Sequence, residues 1–219
     1  MGKTTQLGLL SRRVEAAGLE VCTVREPGGT PVGEEVRRIL ARSQSGSITP
    51  RAELMLILAA RAALIDEVVA PALAAGRWVL SDRSSLSSLA YQGYGRGLPL
   101  EEVKLLDRSA TGGLSPDICI VLDLPAGEGI ARHRRGRKSL DRFESESDDF
   151  LERVRLGYLE LAKSRAEAVL IPADGTVDLI ADRVWREMCA AFPRELADPR
   201  DSDSGRVSTG ALGMSNGKA

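Results

Sequence analysis

Gly2-Lys3-Thr4-Thr5 stands directly ahead of a helical pattern and matches the end of the phosphate-loop pattern G-x-x-x-x-G-K-[ST]. Phosphates need many donors and a counter-charge. Such a run offers backbone N–H groups, the positive end of a helix, a lysine for the outer phosphates and a hydroxyl for Mg2+. Taken alone, it also fits an ordinary helix start with a hydroxyl near the cap. Arg25-Glu26-Pro27-Gly28-Gly29-Thr30 follows a short β-branched run. Pro-Gly-Gly alone would mark a tight turn. The flanking Arg and Glu stand at the carboxyl end of a strand, where open α/β sheets bind their ligands. Asp82-Arg83 ends a second strand pattern. An Asp there can hold a metal-bound water and an Arg can clamp a phosphoryl group, although a solvated ion pair is the plainer alternative.

Two further runs combine recognition chemistry with glycine. In Tyr91-Gln92-Gly93-Tyr94-Gly95-Arg96-Gly97, the Gln92 amide can pair with a base edge and the glycines permit close backbone approach. The competing reading is a glycine-rich surface loop. Arg132-His133-Arg134-Arg135-Gly136-Arg137-Lys138, followed by Asp141-Arg142-Phe143-Glu144, suits a closing lid over transferring phosphate. As a charge run it equally fits a solvated basic loop. With His133 the only histidine, no Ser–His or Cys–His pair and no zinc-ligand cluster is offered.

The elements that must position these residues follow from hydrophobic periodicity. Residues 3–17 read as an amphipathic helix on Leu7, Leu10 and Val14, ended by Gly18. Strand patterns occupy 20–25, 77–81, 118–124 and 168–172. The near-continuous apolar run at 118–124 suits a parallel strand buried on both faces. Helices are expected at 33–42, 50–73 (kinked or split by Pro71), 87–91, 100–111 and 126–135. Phe150, Val154, Tyr158 and Leu161 mark one face of a further helix, and 177–192 is the last. Strands alternating with helices imply an α/β sandwich around a parallel sheet, with four strands visible. Residues 1–194 form one domain with a lid near 132–147. From 195 to 219 the chain is rich in Ser, Asp and Gly, the composition of a disordered tail.

Composition narrows the classes. Hydrophobic residues make up 43% and charged residues 28%, an ordinary globular balance over 219 residues. A net charge of −1 argues against a protein that coats nucleic acid. Cys22, Cys119 and Cys189 show no CxxC spacing and read as buried thiols of a reducing compartment. No apolar run is long enough to span a bilayer and no signal peptide is visible, so the expected location is the cytoplasm.

Taken in order, the motifs are far more specific than any one of them. Gly-Lys-Thr-Thr, Arg-Glu-Pro-Gly-Gly-Thr, Pro50-Arg51-Ala52-Glu53, Ala60-Arg61, Asp82-Arg83-Ser84, Ala90-Tyr91-Gln92-Gly93, Ala110-Thr111-Gly112-Gly113-Leu114, Pro116-Asp117 and Asp141-Arg142-Phe143-Glu144 together resemble bacterial thymidylate kinase. The resemblance covers about residues 2–192. It implies a P-loop NTPase-like three-layer sandwich, a cytoplasmic homodimer, and transfer of the ATP γ-phosphoryl group to dTMP with Mg2+, giving dTDP for dTTP synthesis. It implies that Gly2, Lys3, Thr4 and Thr5 bind ATP and that Thr4 and Asp82 serve the metal. Arg25, Arg61 and Arg83 would hold the dTMP phosphate, and Ile57, Ser88, Tyr91 and Gln92 would line the nucleoside pocket. Asp82, Arg83 and the lid arginines Arg134 and Arg135 would be catalytic. The arginine-bearing lid is similar to that of the subgroup whose P-loop lacks a catalytic arginine.

Two departures matter. Four residues before Arg61 the family usually has Phe, stacked on thymine; Ile57 offers apolar cover without the stacking, worth about 0.5–1.5 kcal/mol. A P-loop kinase for another nucleoside monophosphate, uridylate included, therefore stays open. The family also begins with an apolar central strand that enters the loop ahead of Gly2. The expectation is that roughly ten further residues, enough for that strand and the start of the loop, are encoded upstream. A truncated, non-catalytic relative is the alternative.

Overall fold

The computed structural model describes residues 2–43, 47–124 and 146–196. The lid arginines Arg134 and Arg135, with the expected helix at 126–135, lie outside the described residues, as does 197–219. Helix α1 spans Lys3–Ala16, β1 Val21–Val24 and α2 Pro31–Arg42. Helix α3 spans Pro50–Leu64, α4 Ala70–Ala74 and β2 Trp78–Ser81. They are followed by α5 (Ser85–Ser88), α6 (Leu100–Ala110), β3 (Cys119–Asp123), α7 (Asp148–Ser164), β4 (Ala168–Pro172) and α8 (Val177–Ala191). Thr30, Thr49, Ser147 and Thr176 each cap the following helix by accepting a backbone N–H.

Among the described residues the four strands form two parallel pairs. Val21–Val24 of β1 lies alongside Trp78–Ser81 of β2, and Cys119–Asp123 of β3 alongside Ala168–Pro172 of β4. Period-two alternation sorts their side chains into layers. Trp78 and Leu80, with Ile120 and Leu122, join Leu10 and Val14 of α1 and Ile180 and Val184 of α8 on one face. Val121 and Ala168 turn the other way, onto Leu54 and Leu58 of α3, Val103 of α6 and Phe150 and Val154 of α7. Val24 and Val79 pack with Leu64 and Val69 beneath the first pair. The three layers expected from the βα alternation are present. β3 is half-buried apart from Val121, less enclosed than its apolar run suggested.

Two helical segments depart from the sequence reading. The helix expected at 50–73 widens into a π-turn at Ile65–Val69 before α4. Pro71 has no N–H for the carbonyl four residues back, and the wider turn relieves the clash that its ring would make there. The run taken as a possible glycine-rich surface loop is instead a buried π-turn, Leu89–Gly95, continuing α5. The Arg96 N–H donates to the Tyr91 carbonyl at 2.9 Å. A Cβ on Gly95 would come within 2.7 Å of Phe150 and 2.8 Å of Val154; one on Gly93 would meet Leu100 at 2.5 Å. Glycine here permits packing against α7 and α6 rather than a turn. The described residues extend past the expected boundary at 194: Leu196 is fully buried among the residues under α8, its N–H donating to the Phe192 carbonyl.

Candidate active site

Parallel pairing of β1 and β2 brings their carboxyl ends together, and the Asp82 N–H donates to the Val24 carbonyl at 3.3 Å. The next residues of each strand are tied across the gap, with the Glu26 N–H donating to Asp82 Oδ1 at 3.2 Å. The Glu26–Pro27 peptide is cis, and Gly28 and Gly29 both carry positive φ. A Cβ on Gly28 would lie 2.7 Å from Glu34 Oε1, so this turn can close only over glycine. Its closure lets Glu34 accept from Gly29 N at 3.0 Å and from Arg25 Nη2 at 2.8 Å. Those two hydrogen bonds, the backbone one first, hold the Glu34 carboxyl below the usual range.

Behind the turn lies a cleft lined by Ile57, Arg61, Arg83, Ser88, Tyr91 and Gln92, together with Glu26, Pro27 and Ser87. Six side chains singled out by sequence therefore meet at one place. Ile57 and Arg61 are one helical turn apart on α3 and share a face. Arg25 lies in a separate cavity of about 320 Å³ with Leu7, Thr23, Gly29, Glu34 and Val68. Thr4 and Thr5 are exposed and Lys3 half-buried in the first turn of α1, which carries no acidic residue and starts from Gly2 at φ 73°. Among the described residues neither a side-chain cap nor an acidic first-turn residue offsets the positive end of this helix.

Arg61 is the hub of the cleft. Only 2% exposed, it donates from Nε to Glu26 Oε2 at 2.7 Å, from Nη1 to Asp107 Oδ1 at 2.5 Å and Ser88 Oγ at 2.8 Å, and from Nη2 to the Ser84 carbonyl at 3.1 Å. Among the described residues four of the five guanidinium N–H groups are engaged, leaving one on Nη2. Burial opposes the Arg61 charge, but Glu26 and Asp107 outweigh it and its pKa is raised. For Glu26, burial is the larger influence and pushes the carboxyl up, against the pull of Arg61.

Arg83 stands with its guanidinium carbon 5.1 Å from the Tyr91 ring centre. Burial opposes its charge, but the Tyr91 and Tyr158 phenols leave its pKa raised. The Tyr158 hydroxyl donates to Ser87 Oγ at 2.9 Å; burial first, then Tyr91, pushes that phenol up to about 12. Tyr91 is held edge-on by Tyr158 and tilted against Phe150. Behind Gln92, Glu53 is completely buried and accepts from Gln92 Nε2 at 2.9 Å and from Arg96 at 3.1 and 3.0 Å.

Sequence reasoning placed Glu26 at the ligand-binding edge without a task, and gave Glu53, Asp107 and Tyr158 no role in the site. One signal was present: Asp107 stands four residues after the fully buried Val103 on the inner face of α6, and Glu53 stands beside the fully buried Leu54. A carboxylate within an apolar stripe needs a partner.

An α/β sandwich whose first helix opens on Gly-Lys-Thr, with Arg and Asp residues gathered at the carboxyl ends of parallel strands, defines a P-loop phosphotransferase. The thymidylate kinase family model matches residues 1–184. Thymidylate kinase of Syntrophotalea carbinolica is 43% identical over 191 residues, which cover 84% of this chain and 88% of that protein. That of Desulforudis audaxviator is 44% identical over 86% of each chain, and that of Pelotomaculum thermopropionicum 47% over 74% of each. The chain belongs to the thymidylate kinase family.

Proposed function

We propose that this protein phosphorylates dTMP to dTDP with ATP, in the cytoplasm and as a homodimer. The observation that carries the reading is the single cleft in which Arg61, Arg83, Tyr91 and Gln92 converge beside the strand-end turn. The dTMP phosphate is held by Arg83 and by the remaining N–H of Arg61, whose orientation Glu26 and Asp107 maintain, whereas Arg25 stands in the separate cavity, paired with Glu34. The base lies between Ile57 and Tyr91 with Gln92 at its edge. Gly2, Lys3, Thr4 and Thr5 receive the ATP phosphates, and the lid arginines Arg134 and Arg135 supply charge to the transferring group. Phosphoryl transfer asks for positioning and charge stabilisation, which arginines on separate elements provide.

The residues present suit Mg2+. Among the described residues no group of three or more acidic, His or Cys side chains forms an all-protein cage. Mg2+ is usually held by one or two protein oxygens plus phosphates and water. The exposed Thr4 hydroxyl and the Asp82 carboxylate offer that donor set. When bound, the ion neutralises charge on the phosphates. No described helix is long and apolar enough to cross a membrane.

The test is a steady-state assay of ADP formation with ATP, Mg2+ and either dTMP or dUMP, with light scattering for the mass. dTMP should give the higher kcat/KM. Absence of dTMP-dependent turnover would remove the reading, and a preference for dUMP would transfer it to uridylate.

A further inference from the structure

Gln92 is almost wholly buried, yet its side chain lines the cleft. Among the described residues its one side-chain hydrogen bond is from Nε2 to Glu53 Oε1 at 2.9 Å. A primary amide has a donor end and an acceptor end, and the two are nearly the same shape. Which end faces the cleft decides what the residue can read. A carboxylate only accepts, so turning the amide over would set Gln92 Oε1 against Glu53 Oε1, two acceptors in contact within a dry site.

Glu53 cannot escape that role by moving. It is completely buried, and Arg96 grips both its oxygens, from Nε to Oε1 at 3.1 Å and from Nη2 to Oε2 at 3.0 Å. Arg96 is itself held by Glu146 at 2.6 Å and lies 4.4 Å from the Phe150 ring centre. The chain Glu146–Arg96–Glu53–Gln92 therefore keeps an acceptor fixed behind the amide.

We propose that Glu53, which touches no substrate, is the positioning residue that makes the site discriminate among pyrimidines. By holding Nε2 inward it presents the Gln92 Oε1 acceptor to the base edge. Thymine and uracil carry an N–H at position 3 and satisfy that acceptor. Cytosine carries a lone pair there and leaves two acceptors opposed. This inference rests on the nucleotide-binding reading of the cleft.

Titration calorimetry of the full chain with dTMP and with dCMP tests it without depending on turnover. The wild-type protein should bind dTMP about ten- to a hundredfold more tightly, the penalty of one buried unpaired acceptor. Glu53→Met removes the acceptor behind Nε2, frees the amide to turn, and should cut that ratio about tenfold or more. Because this change leaves Arg96 to Glu146 alone, the variant Glu53→Met/Arg96→Met/Glu146→Gln, which removes the whole buried ion group, is measured beside it; replacing a buried ion triad by uncharged residues of similar size preserves the fold. A purely structural role for Glu53 would weaken both nucleotides in proportion. A ratio unmoved in either folded variant, or a wild-type protein that binds dCMP as tightly as dTMP, overturns the inference while leaving dTMP binding intact. Binding of neither nucleotide overturns the reading of the cleft as well.

Discussion

Replacing Arg61 by Met should expose how the cleft is held together. Arg61 is 2% exposed, and its side chain lies between Glu26 and Asp107, whose side chains are 9% and 12% exposed. Met keeps most of the aliphatic bulk and removes the cation. Two buried carboxylates then face each other without their shared partner. Breaking a buried pair on one side costs about 3–5 kcal/mol, a large part of the 5–15 kcal/mol typical of a domain. For a chain of this size that is a Tm loss of about 6–20 °C. The loss carries a pH signature. Burial already pushes the Glu26 carboxyl up, and Arg61 is the largest opposing influence. Without Arg61 its folded-state pKa rises further above the unfolded value. An acid with a raised folded pKa binds more protons folded than unfolded, so stability increases as pH falls from neutral through that pKa. Urea unfolding at pH 7 and pH 5 should therefore show a large deficit for Arg61→Met at pH 7 that shrinks at pH 5. Turnover of dTMP should fall at both. A deficit below about 1 kcal/mol, within the range of ordinary surface substitutions, would refute the ion-pair account, and so would an equal deficit at the two pH values.

Other substitutions probe separate parts of the argument. Arg83→Ala should lower kcat/KM for dTMP by at least about 10²-fold, since a charge-assisted clamp in a closed site is worth roughly 1.5–3 kcal/mol or more; near-normal kinetics would remove Arg83 from the site. Gly95→Ala puts a methyl within 2.7 Å of Phe150, and chemical denaturation should show a loss of about 1–3 kcal/mol. Glu34→Gln should lower Tm at pH 7 and not at low pH: the Glu34 carboxyl is held below its ordinary value, so its contribution is full above that value and disappears as pH falls through the depressed one. A constant Tm difference across pH would show that the Gly29 and Arg25 contacts are not what Glu34 contributes.

Local pattern carried much of this protein. Leu7, Leu10 and Val14 foretold α1, and the apolar run ending in Asp82-Arg83 foretold β2. Such signals survive in one dimension because helix and strand periods repeat within a few residues. They misled at Gly93 and Gly95, where the same amino acid that favours a surface turn is needed so that a helical segment can lie against Phe150 and Val154. Nothing within the segment distinguishes the two uses; the neighbours that forbid a Cβ on Gly95, Phe150 and Val154, are more than fifty positions away, and the one that forbids it on Gly93 is Leu100 of the next helix.

The electrostatics of the cleft belong wholly to the tertiary structure. The motifs at Arg25 and Arg83 and the family resemblance at Arg61 raised the expectation of phosphate chemistry, but none showed that Arg61 is already engaged. Its partners come from 35 residues earlier in the chain and 46 later. Gln92 advertised a base reader, but its sense depends on Glu53, 39 positions away. A side chain's identity states what it can donate or accept. Whether a carboxylate stands behind it, in a medium dry enough for that to matter, is decided when α3, α6 and the π-turn after α5 pack together and exclude water.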